Sequence, residues 1–337
     1  MDLEKNPDAC VRFDRHAVYL GTPGGRQDCP ARLRGRTEAL LIQPATAAGS
    51  AVTENRTART YQAAADRIVV TAAYGDDRGS IQRILRSAGL PVATAQAEQA
   101  AAAPVPADAT SFRGEGFDAC TAPSQSAMNA WRDASDYGAI GIYIGGLNRA
   151  CAQPNLTAAW VRTQYANGWR FFPLYVGRQP SADGGSCGGG CSSITDPVPQ
   201  GTAAADDAAK QAAALGLGKG SVIYNDLEHY APGGTVTTRV LAYIDAYTER
   251  LHQLGYRSGA YGSVSSLITD LVANAQNITP PDVIHFARWN YESTTTDSAI
   301  PASLWPKHQR IHQYAGDTTE THGGVQISID RNRLDVD

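Results

Sequence analysis

From Gly114 to the C-terminus the chain alternates short apolar runs with amphipathic or alanine-rich stretches, and this alternation limits the possible folds more than any other feature. Eight runs read as strands: GEGFDAC, AIGIYIGG, RFFPLYVG, SVIYNDLE, RSGAYGS, DVIHFARW, RIHQYAG and VQISIDRN. Between the first six lie SQSAMNAWRDAS, LTAAWVRTQYANG, GTAAADDAAKQAAALG, VTTRVLAYIDAYTERLHQLG and SVSSLITDLVANA, which read as helices. The segments after the sixth and seventh strands are weaker and compatible with turns alone. Strands alternating with helices imply parallel pairing, because a parallel connection must cross back over the sheet. Eight such units over residues 113–337 predict an α/β fold, a (β/α)8 TIM-type barrel. A doubly wound open sheet is the alternative, but no G-x-G-x-x-G follows a first strand to mark a dinucleotide crevice.

Residues 1–91 have a different texture. VRFDRHAVYL, the turn GTPGG, RTEALLIQP and RIVVTAAY suggest short strands, and GSIQRILRSAGL a helix with Ile81, Ile84 and Leu85 at helical spacing and Gly89 as C-cap. Residues 45–65 are rich in Ala and Thr and weakly patterned. The expectation is a small α+β domain. Residues 92–112, which include the run AQAEQAAAAPVP, read as an interdomain linker, with an alanine-rich helix over Ala93–Ala103 as the alternative.

Composition narrows the partners. A formal charge of −4 with no run of like charges offers no field for nucleic acid. No apolar run reaches the roughly 18 to 20 residues that cross a bilayer, so no transmembrane segment is expected, and MDLEKNPDAC lacks the pattern of a signal peptide. Six cysteines fall as Cys10 with Cys29, Cys120 with Cys151 and Cys187 with Cys191. Nearest-neighbour pairing is the simplest of fifteen connectivities. Disulfides would place the chain in an oxidising, extracellular setting, its export signal already removed. Clustered Cys and His at ligand spacing are missing, so no metal and no cofactor is expected, and the chain is expected to be a monomer.

The strand ends carry the chemistry. In a barrel the active face is built at the C-terminal ends of the strands. There the first strand ends on Asp118, the second carries Tyr143, and the third runs into Arg178 and Gln179. The fourth carries Asp226, Glu228, His229 and Tyr230, the sixth ends Arg288-Trp289-Asn290, the seventh holds His312-Gln313-Tyr314, and the eighth ends Asp330-Arg331-Asn332. Asp226 and Glu228, spaced i, i+2, share one face of a strand. First and eighth strands are neighbours in a closed barrel, so Asp118 and Asp330 should flank one side of the mouth. Four converging carboxylates with tryptophan and tyrosine nearby suit a carbohydrate site, where one acid protonates a glycosidic oxygen and another stabilises or attacks the anomeric centre. Each residue also has a plainer reading: Asp118 as a helix cap, Asp330 in a strand-end ion pair, Trp289 in the core. A divalent cation is the other use of clustered acids.

GFDACTAP, YIGG, PLYVGRQ, YNDLEHY, SGAYGS, FARWN, HQY and IDRNRLD, in this order, resemble the actinobacterial glycoside hydrolase-like domain, formerly a domain of unknown function, over Gly114 to Asp337. That family is similar to the family 25 glycoside hydrolases, the muramidase-type lysozymes. The resemblance implies a secreted hydrolase of cell-envelope glycan, with Glu228 as proton donor, Asp226 beside it, and Asp118 and Asp330 orienting the sugar. The polar and aromatic strand-end residues Tyr143, Arg178, Gln179, Tyr230, Arg288, Trp289, Asn290, His312, Gln313 and Tyr314 are the expected substrate contacts. GFDAC departs from the Asp-Val-Ser of the muramidases, and CGGGC belongs to the narrower family. The rival expectation is a glycan-binding or envelope-associated module that keeps the barrel without turnover.

Overall fold

The computed structural model describes residues 2–5, 11–13, 15–22, 37–44, 51–55, 59–65, 67–75, 78–88, 90, 104–181 and 190–337. The chain divides into two compact units, Met1–Ala101 and Ala102–Asp337.

The first unit is a mixed sheet. Strands β1 (Asp2–Lys5), β2 (Ala17–Leu20), β3 (Ala39–Pro44), β4 (Ala51–Asn55), β5 (Thr60–Ala65) and β6 (Ile68–Ala73) lie in the order β1-β2-β3-β6-β5-β4. The first three are parallel, and the remaining pairs are antiparallel. The helix Arg78–Ser87 buries Ile81 and Leu85 with Tyr61, Val70 and Ala72. Val11, Phe13, Tyr19 and Leu41 form a separate cluster. Two strands, β4 and β5, occupy the stretch read as weakly patterned. In β5 the buried positions alternate as Tyr61 and Ala63, and alanine gives little hydrophobic contrast to a period of two. The expected Cys10–Cys29 crosslink, the Gly89 cap and residues 92–103 lie outside the described residues.

The second unit is a closed barrel of eight strands: β7 (Phe112–Asp118), β8 (Tyr137–Gly145), β9 (Arg170–Tyr175), β10 (Val222–Asp226), β11 (Arg257–Ser263), β12 (Val283–Ala287), β13 (Gln309–His322) and β14 (Val325–Val336). Seven run parallel, but β14 is antiparallel to both its neighbours, β13 and β7. Helices occupy the first five crossovers: Gln125–Ala134, Ala158–Ala166, Pro197–Ala214, Gly234–Leu254 and Thr269–Asn274. Ser124 and Thr157 cap the first two through Ala127 N and Trp160 N, and Gly255 ends the fourth in the left-handed conformation. No helix follows β12, and β13 turns into β14 through Gly323-Gly324, both at positive φ. The expected (β/α)8 barrel is corrected accordingly. A two-residue glycine turn suits the mirror-image hairpin geometry and returns the chain antiparallel, leaving no room for a crossover helix.

Alternation along the strands sorts side chains into two layers. Inward positions such as Ala139, Phe172, Leu174, Val222, Tyr224, Val283, Ile311 and Leu334 fill the barrel. Outward positions such as Phe117, Ile140, Phe171, Ile223 and Phe286 pack with Trp131, Ala205, Ile244 and other helix residues. Burial of both faces is why these strands read as nearly continuous apolar runs. Residues 104–111 pack beneath the barrel: Val105 N donates to Gly216 O at 2.8 Å, Thr110 Oγ1 accepts from Val222 N at 3.0 Å, and Ala109 is fully buried. Among the described residues no helix is long and apolar enough to cross a membrane.

Candidate active site

The top inward layer of the barrel is acidic. Asp118 ends β7, Asp226 ends β10, and Glu228 follows two residues later. Asp330 lies directly opposite Asp118 in the β14–β7 register. It stands within β14 rather than at the strand's end, and it reaches the mouth because that strand runs in the reverse direction. All four acids line one pocket of about 410 Å³, together with Tyr143, Asn148, Arg149 and Asp317. The Cys120–Cys151 disulfide forms part of its wall. Gly141 makes space for Asp118, since a Cβ there would sit 2.5 Å from the Asp118 Cβ and 2.6 Å from the Phe172 ring.

The acids differ in what surrounds them. Asp118, only 2% exposed, accepts from Tyr143 Oη at 3.0 Å on one oxygen and from Gln313 Nε2 at 3.1 Å and Asn332 Nδ2 at 2.8 Å on the other. Burial raises its pKa, and these three donors work against the rise. Asp226, 4% exposed, has no donor on its Oδ1 among the described residues. Burial first, then the charges of Glu228 and Asp118, push its carboxyl well above the usual range. Asp330 is raised to about 7 by burial and by Asp118, while Asp317 N donates to its Oδ1 at 2.8 Å. Burial and the neighbouring carboxylates keep Tyr143 and Tyr261 protonated, so both remain donors.

Gln313 joins the acids to a second lobe. Its Nε2 donates to Asp118 and, at 3.3 Å, to Asp330, bridging two carboxylates that would otherwise repel across the register pair. Its Oε1 accepts from Tyr261 Oη at 2.9 Å and Trp289 Nε1 at 3.1 Å. An indole N–H can only donate, so the amide has one possible orientation. Trp289 is 53% exposed and packs against Gly316, where a Cβ would lie 2.1 Å from the ring. Tyr261, Trp289 and Gln313 line the second lobe of about 450 Å³ with Ser263, Ser265, Thr269 and Arg288.

Gln179 is fully buried and clamps the acidic strand end: its Nε2 donates to Asp226 O at 2.9 Å and its Oε1 accepts from Glu228 N at 2.8 Å. The other residues expected at the site lie apart from the acids. Arg178 donates to Ser193 O, and Tyr230 donates to Asp270 at 2.6 Å. His312, fully buried, has its two ring nitrogens 2.7 and 2.9 Å from Thr294 O and Arg288 O. Tyr314 lies outside the inward row and donates to Glu115. Arg288 pairs with Asp297 at 2.6 Å, and exposed Asn290 donates to Glu292. Sequence reasoning missed Tyr261, His285 and the Asn148-Arg149 pair; Asn332 it placed among the strand-end polar residues without a role, and the structure puts its amide on Asp118. The Cys187–Cys191 pairing lies outside the described residues. Among the described residues no group of three or more His, Cys, Asp or Glu is arranged to hold a metal ion.

The closed α/β barrel thus gathers four acids at its mouth beside an aromatic lobe. Residues 129–334 match the Rv2525c-like, glycoside hydrolase-like domain, and the chain belongs to that family. The match includes Asp226, Glu228 and Asp330 and begins after Asp118. The chain is also similar to solved structures. An uncharacterized B. stearothermophilus protein shows 18% identity over 66% of this chain and 95% of its own, with a TM-score of 0.43. The catalytic domain of endolysin ply40 from bacteriophage P40 of Listeria monocytogenes shows 13% identity over 66% and 93%, TM-score 0.40. The modular autolysin LytC from Streptococcus pneumoniae shows 11% over 83% and 57%, TM-score 0.42. No curated protein matches the chain.

Proposed function

We propose that the protein is a secreted glycoside hydrolase that cleaves O-glycosidic bonds in a bacterial cell-envelope or related polysaccharide. The observation that carries this reading is Asp226, a buried carboxyl in the pocket whose Oδ1 has no donor among the described residues. An anion so placed is disfavoured at rest by desolvation and by its anionic neighbours. Once its proton has left to solvent through the open mouth, the Asp226 carboxylate gains an oxocarbenium-like sugar as counter-charge only in the transition state, and such differential stabilisation is what accelerates a reaction. Glu228 sits half-buried at the mouth, its backbone N–H held by Gln179, and serves as proton donor to the leaving oxygen. Asp118, already satisfied by three donors, orients the sugar together with Asp330. Trp289 offers an indole face to a ring in the second lobe. The Cys120–Cys151 bond supports an oxidising compartment.

The test is incubation with a panel of bacterial wall and capsule polysaccharides, read by reducing ends and mass spectrometry. Glu228→Gln is expected to lower turnover by about 10² to 10⁴ with glycan affinity little changed, because the amide keeps shape but delivers no proton. Turnover unchanged by Glu228→Gln would reassign the acid to Asp118 or Asp330. A wild-type protein that cleaves no glycan, with affinity falling as each acid is replaced, would identify a binding module.

A further inference from the structure

His285 projects inward from β12, fully buried near the acids and ringed by Phe172, Tyr224 and Tyr261 at centroid distances of 5.4, 6.0 and 4.7 Å. Its Nε2 lies 2.7 Å from Asn332 Oδ1, and its Nδ1 has no hydrogen-bond partner among the described residues. Asn332, also fully buried, directs its Nδ2 to Asp118 Oδ2 at 2.8 Å and to the backbone oxygen of Asp330 at 3.1 Å. Turning this carboxamide over would set Oδ1 against two acceptors. The acceptors therefore fix which end of Asn332 faces the acids, and Oδ1 then requires a donor from the ring.

We propose that His285 is a positioning residue for the site: held as the neutral Nε2–H tautomer, it locks Asn332 with its N–H groups on Asp118 and so keeps Asp118 the charged member of the cluster. The inference rests on the hydrolytic reading of that cluster. The opposite tautomer belongs to a different arrangement, in which Nε2 accepts from a reversed Asn332 and Asp118 must carry a proton to donate to Oδ1. The tautomer of His285 and the ionisation of Asp118 are thus coupled through one amide. Burial keeps the ring neutral, lowering its pKa to about 3; the bond to Asn332 opposes the shift and His312 adds to it. Tyr224 and Tyr261 are the other titratable groups facing the ring.

Two measurements on the full chain test this. Long-range proton–nitrogen correlation of [15N]histidine-labelled protein should show His285 as Nε2–H across the neutral range, and an Nδ1–H or imidazolium pattern overturns the proposal. Carbon titration of the Asp118 carboxyl should move upward by about one pH unit in His285→Phe and stay near wild type in His285→Gln, whose amide offers an N–H in the same direction. Equal Asp118 titration in His285→Phe and wild type overturns it. Should His285→Phe not fold, His285→Leu removes the same N–H with a smaller side chain and should raise Asp118 alike. Failure of the hydrolytic reading is told apart, since it shows as absent glycan turnover while the tautomer and titration patterns hold.

Discussion

Replacing Asp330 by asparagine should stabilise the barrel at alkaline pH and not at acid pH. The Asp330 carboxyl titrates at about 7 in the folded protein, raised by burial and by Asp118, against about 3.9 in an unfolded chain. A raised carboxyl pKa means that the folded state keeps a proton the unfolded state releases. The side chain's contribution to stability is therefore full below about pH 4 and is lost as pH rises through 7. A shift of this size corresponds to about 4 kcal/mol at 1.36 kcal/mol per unit. Asp330 stands at a wet mouth and titrates jointly with Asp118, and screening reduces the penalty to about 1–2 kcal/mol. Asparagine keeps an oxygen for Asp317 N–H but turns a second donor toward Gln313 Nε2, losing about 0.5–1 kcal/mol at every pH. The variant should then be slightly less stable than wild type at pH 4 and more stable by up to about 1 kcal/mol at pH 8.5. For a domain of this size the swing is about 3–6 °C in Tm. Thermal scans by near-ultraviolet circular dichroism between pH 4 and 8.5 read it directly. A difference between variant and wild type that is constant over that range refutes the reasoning.

Removing the Cys120–Cys151 bridge, which spans 31 residues, should lower stability by about 3–4 kcal/mol and loosen the pocket wall beside Asp118, measured by denaturant titration and glycan affinity. Trp289→Ala should weaken glycan binding by about 1 to 1.4 kcal/mol, roughly five- to tenfold by calorimetry, while Tm changes little because the indole is half exposed. A chain beginning at Pro104 should melt cooperatively, whereas one beginning at Phe112 should lose about 3 kcal/mol or more. The shorter chain lacks buried Val105 and Ala109 and leaves Val222 N without its acceptor, Thr110.

Much of the barrel was legible in the residues themselves. Apolar runs of strand length and helical spacings are local signals, and they located eight strands and five helices because each element must bury its own faces wherever it lies. The acids were legible for a related reason: Asp118, Asp226 and Glu228 interrupt apolar strands at their ends, where a charge is tolerable only at a mouth. What the residues alone did not convey is strand direction and side-chain partnership. VQISIDRN alternates equally well in either direction; only closure beside β7, after the Gly323-Gly324 turn, reverses β14 and brings Asp330 opposite Asp118. Partnership is longer in range still. Asn332 and Gln313 meet Asp118 from 214 and 195 residues away, and His285 meets Asn332 from 47. Whether a buried acid is met by three donors, like Asp118, or left without one at its Oδ1, like Asp226, depends on those distant neighbours. Desolvation and hydrogen bonding are properties of an assembled site, so composition and spacing could name the acids, and only the closed barrel could set them apart.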